Sequence, residues 1–259
     1  MALSGNLAYP ATRTDQTDRD NVKPSQLTAL APLLVHLGRH ARRAGQLEEA
    51  LAAASAAVAA YRAIESRQPE STGAGLAEAL LDAAEVNAQM HRFGKASAIA
   101  FEAVELYRTL ATERDPIHLP DLAGALRRAA SYATAANRLG TAHAACEEAV
   151  ALLRDLAALD RRRHRHELTE ALALLARLAA DTGRRKEAAA RFREGLDMLK
   201  ALPNRTAGDR KSGLTLATLF RDQIELEALG DIAPLVEQAA ARFQRAAPAP
   251  KSATVDPPQ

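Results

Sequence analysis

Hydrophobic positions in this chain repeat on two nested scales. The short scale is helical: Leu30 with Leu34, Leu76 with Leu80, Leu122 with Leu126 and Leu168 with Leu172 are pairs four apart, each on one helical face. The long scale is 46 residues. It carries those pairs into register, and with them the columns Ala50, Ala96, Ala142 and Ala188; Ala57, Ala103, Ala149 and Gly195; Val58, Val104, Val150 and Leu196; and Tyr61, Tyr107, Leu153 and Leu199. Arg62, Arg108, Arg154 and Lys200 follow directly after the last column. Between the leucine run and the alanine run of each unit lies a short polar break: Gly45-Gln46-Leu47, His91-Arg92-Phe93, Asn137-Arg138-Leu139 and Gly183-Arg184-Arg185. A constant period of this size predicts a repeat array in which each unit contributes two helices joined by a tight turn.

The pattern predicts helices near 25–44 and 47–67, 74–90 and 93–113, 120–136 and 139–160, and 167–182 and 184–201. Ser25 is placed to cap the first of these, and Pro32 is an irregularity within it. Pro116 and Pro120 punctuate one joint between units. Arg161-Arg162-Arg163-His164-Arg165-His166 forms another, read as a basic loop after a helix end. A weaker fifth unit, helices 209–228 and 232–246, is expected as a terminal cap pair, since solenoid ends need a polar outer face. The expected organisation is a disordered arm over 1–24 and a solenoid over 25–246. Its units are about 25–70, 71–116, 117–162, 163–208 and 209–246, and a disordered tail over 247–259 follows.

The unit resembles a tetratricopeptide repeat, a helix–turn–helix stacked into a superhelix. The resemblance is carried by Gly38, Ala84, Ala130 and Ala176 late in the first helices, by the Gly45-x-Leu47-x-x-Ala50 turn, and by the Ala57 column. It spans residues 25–202 and extends toward 246. A usual unit has about 34 residues, so these helices are longer, a form similar to long arrays of high-GC, actinobacterial-like bacteria. The aromatic expected in the second helix is replaced by Ala54, Ala100 and Cys146 and kept only as Phe192. HEAT and armadillo repeats also run to about this length, and the turn pattern favours the tetratricopeptide reading. The expected fold is all-α, a right-handed α-solenoid of antiparallel helix pairs.

The resemblance implies that first helices line a concave face that binds an extended peptide or a partner helix. Carrying the phase across gives Val35, Arg39 and Arg42, then Leu81, Glu85 and Ala88, then Arg127, Ser131 and Thr134, and finally Ala173, Arg177 and Ala180. The candidate groove residues are therefore Arg39, Arg42, Glu85, Arg127, Ser131 and Arg177, suited to a protein or peptide with acidic residues. The basic joint, through Arg161, Arg162, Arg163 and Arg165, is a second candidate contact for an acidic partner.

Composition narrows the alternatives. Of the 259 residues 47% are hydrophobic but only 3% aromatic, with no Trp, which suits close-packed helices better than sheets. A net charge of +2 argues against a general nucleic-acid binder. The single cysteine, Cys146, excludes an intramolecular disulfide framework and falls in a packed column. The start lacks a basic stretch followed by an apolar run, and no run approaches the roughly 20 residues of a membrane span. The expected setting is the cytoplasm.

No constellation of catalytic type emerges. His36 and His40 lie four apart without a third ligand, His166-Glu167-Leu168-Thr169-Glu170 lacks the second histidine of a metalloprotease helix, and His143 with Cys146 has nothing to lower the thiol pKa. No catalytic residue, metal or cofactor is expected. The sequence reading is a binding scaffold or adaptor. Its rivals are a sensor that changes superhelical pitch on binding a peptide or metabolite, an all-α enzyme with a deep pocket, and self-association through weakly capped ends.

Overall fold

The computed structural model describes residues 24–67, 73–201 and 233–244, together with positions 210, 213, 214, 217, 218 and 221. Regular structure among these residues is entirely helical. The helices are α1 (Pro24–Arg43), α2 (Leu47–Glu65), α3 (Gly73–Gln89), α4 (Phe93–Thr109), α5 (Leu119–Ala135), α6 (Leu139–Leu159), α7 (Arg161–Asp181), α8 (Arg185–Lys200) and α9 (Ala233–Gln244). The expected arm over 1–24 (apart from Pro24), the tail over 247–259 and most of the expected helix 209–228 lie outside the described residues.

Each first helix ends in the same way. Gly45, His91, Asn137 and Gly183, one column of the 46-residue period, all adopt positive φ, between 58° and 78°. The residue after each donates its N–H five residues back: Gln46 to Ala41, Arg92 to Asn87, Arg138 to Ala133 and Arg184 to Ala179, at 2.7–3.0 Å. The positive-φ residue itself donates three residues back, as Gly45 does to Arg42 and Gly183 to Ala180. This pair of bonds is the Schellman closure, which satisfies carbonyls at the helix end and reverses the chain. A left-handed residue at one fixed position thus makes every turn alike.

The chain divides into two compact units, Met1–Val86 and Asn87–Gln259. In the first, α1 packs on α2. Ala31, Ala60 and Ile64 are buried there, with Leu27, Leu34 and Tyr61 against them. Gly75 of α3 lies under the Tyr61 ring, where an added Cβ would come within 2.5 Å of the aromatic edge, so α3 approaches α2 closely. In the second unit, each of α4 to α8 packs against the next. Ala103, Ala142, Ala149 and Ala188 of the repeat columns are at most 1% exposed, which lets neighbouring helices nest without voids. Helix α9 packs on α8: Val236, Ala239, Ala240 and Phe243 join Phe192, Leu196 and Leu199 in one apolar cluster.

Two joints differ from the simple pattern. After α4 a π-helical turn, Leu110–Arg114, leads into the 3-10 turn Pro116–His118, whose N-cap Asp115 accepts the Ile117 N–H at 2.9 Å. The basic segment expected as a loop is instead the opening of α7, which starts at Arg161. The cause is local: the Asp160 carboxylate accepts the Arg163 N–H at 3.1 Å, capping the helix directly after α6 ends. His164 is buried within the first turn.

Candidate functional site

The outward row of the first helices is set by which 46-residue column stays accessible. The column Arg39, Glu85, Ser131 and Arg177 is the open one: Ser131 is exposed, and Arg39, Glu85 and Arg177 are half-buried. Arg42 is also half-buried, at the end of α1, whereas Thr134 of its column is buried. The column of Arg127 was expected to face outward as well. The structure corrects this, because Val35, Leu81 and Ala173 in that column are buried. Each sits where its helix meets apolar neighbours, so only the long guanidinium arm of Arg127 reaches polar surroundings.

Three of the four candidate groove arginines are engaged by the chain's own acids. In the first unit, Arg39 Nη2 donates to Glu78 Oε1 at 2.5 Å and Nε to Asp82 Oδ2 at 2.6 Å, tying α1 to α3. Burial opposes the charge on Arg39, but the two carboxylates outweigh it and raise the pKa of the guanidinium. In the second unit, Arg127 Nη1 lies 3.0 Å from Glu170 Oε2, and His166 Nε2 lies 3.4 Å from the other oxygen of the same carboxylate. Burial pushes the Glu170 carboxyl up; the His166 bond and the Arg127 charge more than offset it, so its pKa ends below the usual value. Arg177 is held more loosely, 3.7 Å from Asp181 on its own helix. In the basic segment Arg163 is exposed, while Arg165 donates to the Ala201 carbonyl at the end of α8. The structure places Arg161 and Arg162 in the first turn of α7.

The sequence reading missed a second set of pairs. Arg108 Nη2 meets both oxygens of Glu148 at 2.9 Å, and Arg154 grips Glu194 through Nε at 2.9 Å and Nη2 at 2.7 Å. These join α4 to α6 and α6 to α8 along successive second helices. The signal was present: Glu148 and Glu194 each follow their arginine by 40 residues, and so does Glu102 after Arg62. The two-nitrogen grip of Arg154 on Glu194 is a fork that suits arginine and not lysine.

The remaining reactive groups lie within the helix joints. Cys146 is buried, its thiol pushed up to about 12 by burial, and its Sγ donates to the Ala171 carbonyl at 3.3 Å. His143 is buried between two carboxylates, with Nδ1 3.2 Å from Glu147 and Nε2 3.6 Å from Glu187. One ring nitrogen of His143 and one oxygen of each carboxylate lie within 4.8 Å of one another, a grouping that bridges α6 and α8 and whose donor atoms could hold a metal ion. No helix of the described residues is long and apolar enough to cross a membrane.

No protein-family model matches the chain, and no curated protein matches its sequence. Solved structures do. A point variant of a putative kinesin light chain from Podosopora anserina, with nearly identical TPR-like repeats, superposes with a TM-score of 0.61 at 19% identity, covering 85% of this chain and 95% of that one. BtubC (BKLC) from P. vanneervenii gives 0.53 at 19% identity, covering 76% and 73%. At such identities the likeness is one of fold, and that fold is an all-α array of tetratricopeptide-like repeats.

Proposed function

We propose that the chain is a protein- or peptide-binding scaffold that offers the open face of its first helices to a partner and performs no chemistry itself. The observation that carries this reading is the accessible row Ser131 and Arg177 on α5 and α7. The Arg177 side chain is 41% exposed and only loosely paired with Asp181. Its guanidinium can exchange that carboxylate for one on a partner at little cost, since exposed pairs contribute about 0–1 kcal/mol. Arg39 and Arg127 have a different part in this reading. Their short bonds to Glu78, Asp82 and Glu170 hold neighbouring helices in register, and they set the shape of the face without reaching for ligand. The partner is then one with an acidic segment that reads the Ser131 and Arg177 row.

The test is a photocrosslinking residue at Ser131, with the same residue at exposed Ala151 on α6 as control. Specific adducts at 131 that disappear with Arg177→Glu, while helicity is unchanged, are the expected result. Equal labelling at both positions, or adducts indifferent to Arg177→Glu, would refute this face.

A further inference from the structure

Repeat arrays permit a comparison that single folds do not: the same position can be read in several copies. Three columns on the first helices form the surface on which the preceding hairpin lies. In α5 and α7 these are Leu122, Ala125 and Ala129, and Leu168, Ala171 and Leu175. All are buried, and α4 and α6 pack against those helices. The same columns in α3, Leu76, Ala79 and Ala83, are buried as well. In α1 the columns hold Leu30, Leu33 and Leu37, which are 44%, 64% and 58% exposed. Among the described residues, the helix therefore presents a joint surface with nothing joined to it.

Its chemistry is unlike that of a solvated end. From Pro24 to Gly38 the chain contains no Asp, Glu, Lys or Arg. Spacings of three and four place Leu30, Leu33 and Leu37 on one stripe, with exposed Ala29, His36 and His40 along it. Helix α9, near the other end of the chain, is built the opposite way. It buries Val236 and Phe243 and turns Glu237, Gln238, Arg242 and Gln244 outward, with Leu235 the one large apolar side chain among them. That end has a mainly polar outer face and the α1 end does not.

We propose that α1 docks on α1 of a second copy of this chain about a twofold axis. Three observations choose this occupant. The stripe carries no Asp, Glu, Lys or Arg, so like can face like without opposing fixed charges. Beyond the first leucine column, the interior joints nest on alanine at Ala125, Ala129 and Ala171 of α5 and α7 and at Ala79 and Ala83 of α3, with Leu175 the exception. Leu33 and Leu37 replace alanine in α1, which sets a wider helix spacing of the kind that leucine against leucine fills. The polar outer face of α9 is a poor match for the stripe, which disfavours head-to-tail growth and favours a closed pair. In the chain ahead of α1, Thr12–Lys23 contains one apolar residue, Val22, whereas Met1, Leu3, Leu7 and Tyr9 lie further out, and the experiment below separates that segment from a second copy. The proposal concerns a face separate from the Ser131 and Arg177 row and stands independently of it.

The experiment is the mass of the full-length chain by light scattering and sedimentation across micromolar concentrations. A species of twice 27.6 kDa is expected. The double change Leu33→Glu with Leu37→Glu should weaken it about 30-fold or more, the loss typical of removing an interface anchor. Circular dichroism should be unchanged, because both side chains are exposed in the single chain. In a Cys146→Ala background, Leu33→Cys should give a disulfide-linked dimer on mild oxidation, whereas Ala151→Cys should not. The proposal is overturned by a wild type that stays monomeric, by a dimer indifferent to the two glutamates, by a series growing past the dimer, or by failure of the Leu33→Cys variant to crosslink. It is equally overturned if deletion of residues 1–23 is needed before any dimer forms, since that segment would then be the cover.

Discussion

At the scale of single residues, the best-defined electrostatic feature is the cluster of Arg127, His166 and Glu170. The Glu170 bond raises the pKa of His166 above its ordinary 6.5, against the opposing effect of burial. A raised histidine contributes stability that is complete below its unfolded value and lost as pH rises through the folded one. Glu170 is depressed from its ordinary 4.5, so its contribution is complete above that value and lost as pH falls through the lower folded one. The cluster should be fully formed between about pH 4.5 and 6.5. Thermal melts should show the deficit of His166→Ala shrinking as pH rises above about 6.5, and that of Glu170→Gln shrinking below about pH 4.5. A deficit constant across both ranges would assign the two residues to packing alone. The sequence displayed both side chains, one turn apart on α7. It did not display the contact with Arg127, because a pair separated by 43 residues depends on how α5 lies against α7.

At the scale of elements, the repeated turn governs where one helix stops and the next begins. Gly45 adopts φ of +78° with nothing within 4 Å of an added Cβ, so the cost of Gly45→Ala would be conformational and not steric. It should destabilise by about 1–2 kcal/mol. Gly124 sits inside α5, also without a neighbour to meet a Cβ and without positive φ. Gly124→Ala should stabilise by about 0.5–1 kcal/mol. Opposite shifts of the denaturation midpoint for the same chemical change are the expected outcome; shifts of one sign would deny the conformational account. The turn column was legible because glycine marks it in two copies, and the left-handed state at His91 and Asn137 follows from the period. The start of α7 was not legible. Its run of arginines and histidines from Arg161 to His166 reads as a solvated loop, and only the Asp160 cap and the contact of Arg165 with the end of α8 show why it is helical.

At the scale of the whole molecule, an array is closed by its ends. Phe243 is 1% exposed and completes the cluster around Phe192, Leu196 and Leu199. Phe243→Ala should cost about 3–5 kcal/mol and increase binding of a hydrophobic dye, whereas Gln244→Ala on the outer face should do neither. An equal effect of the two would remove α9 from the closing role. The other end, at α1, is left open by the same comparison, and its leucines are the feature that a single globular reading would have passed over.

The sequence by itself determined the period, the two helices per unit, the turn position and the small residues of the joints. These are local choices, repeated until chance cannot account for them, and each acts on its near neighbours along the helix. Tertiary structure alone decided which arginines are already satisfied, which of the outward columns is in truth buried, and which joint surface lacks its neighbour. Those outcomes depend on the rotation of one helix against another, which a shift of one residue in phase reverses and no linear pattern fixes.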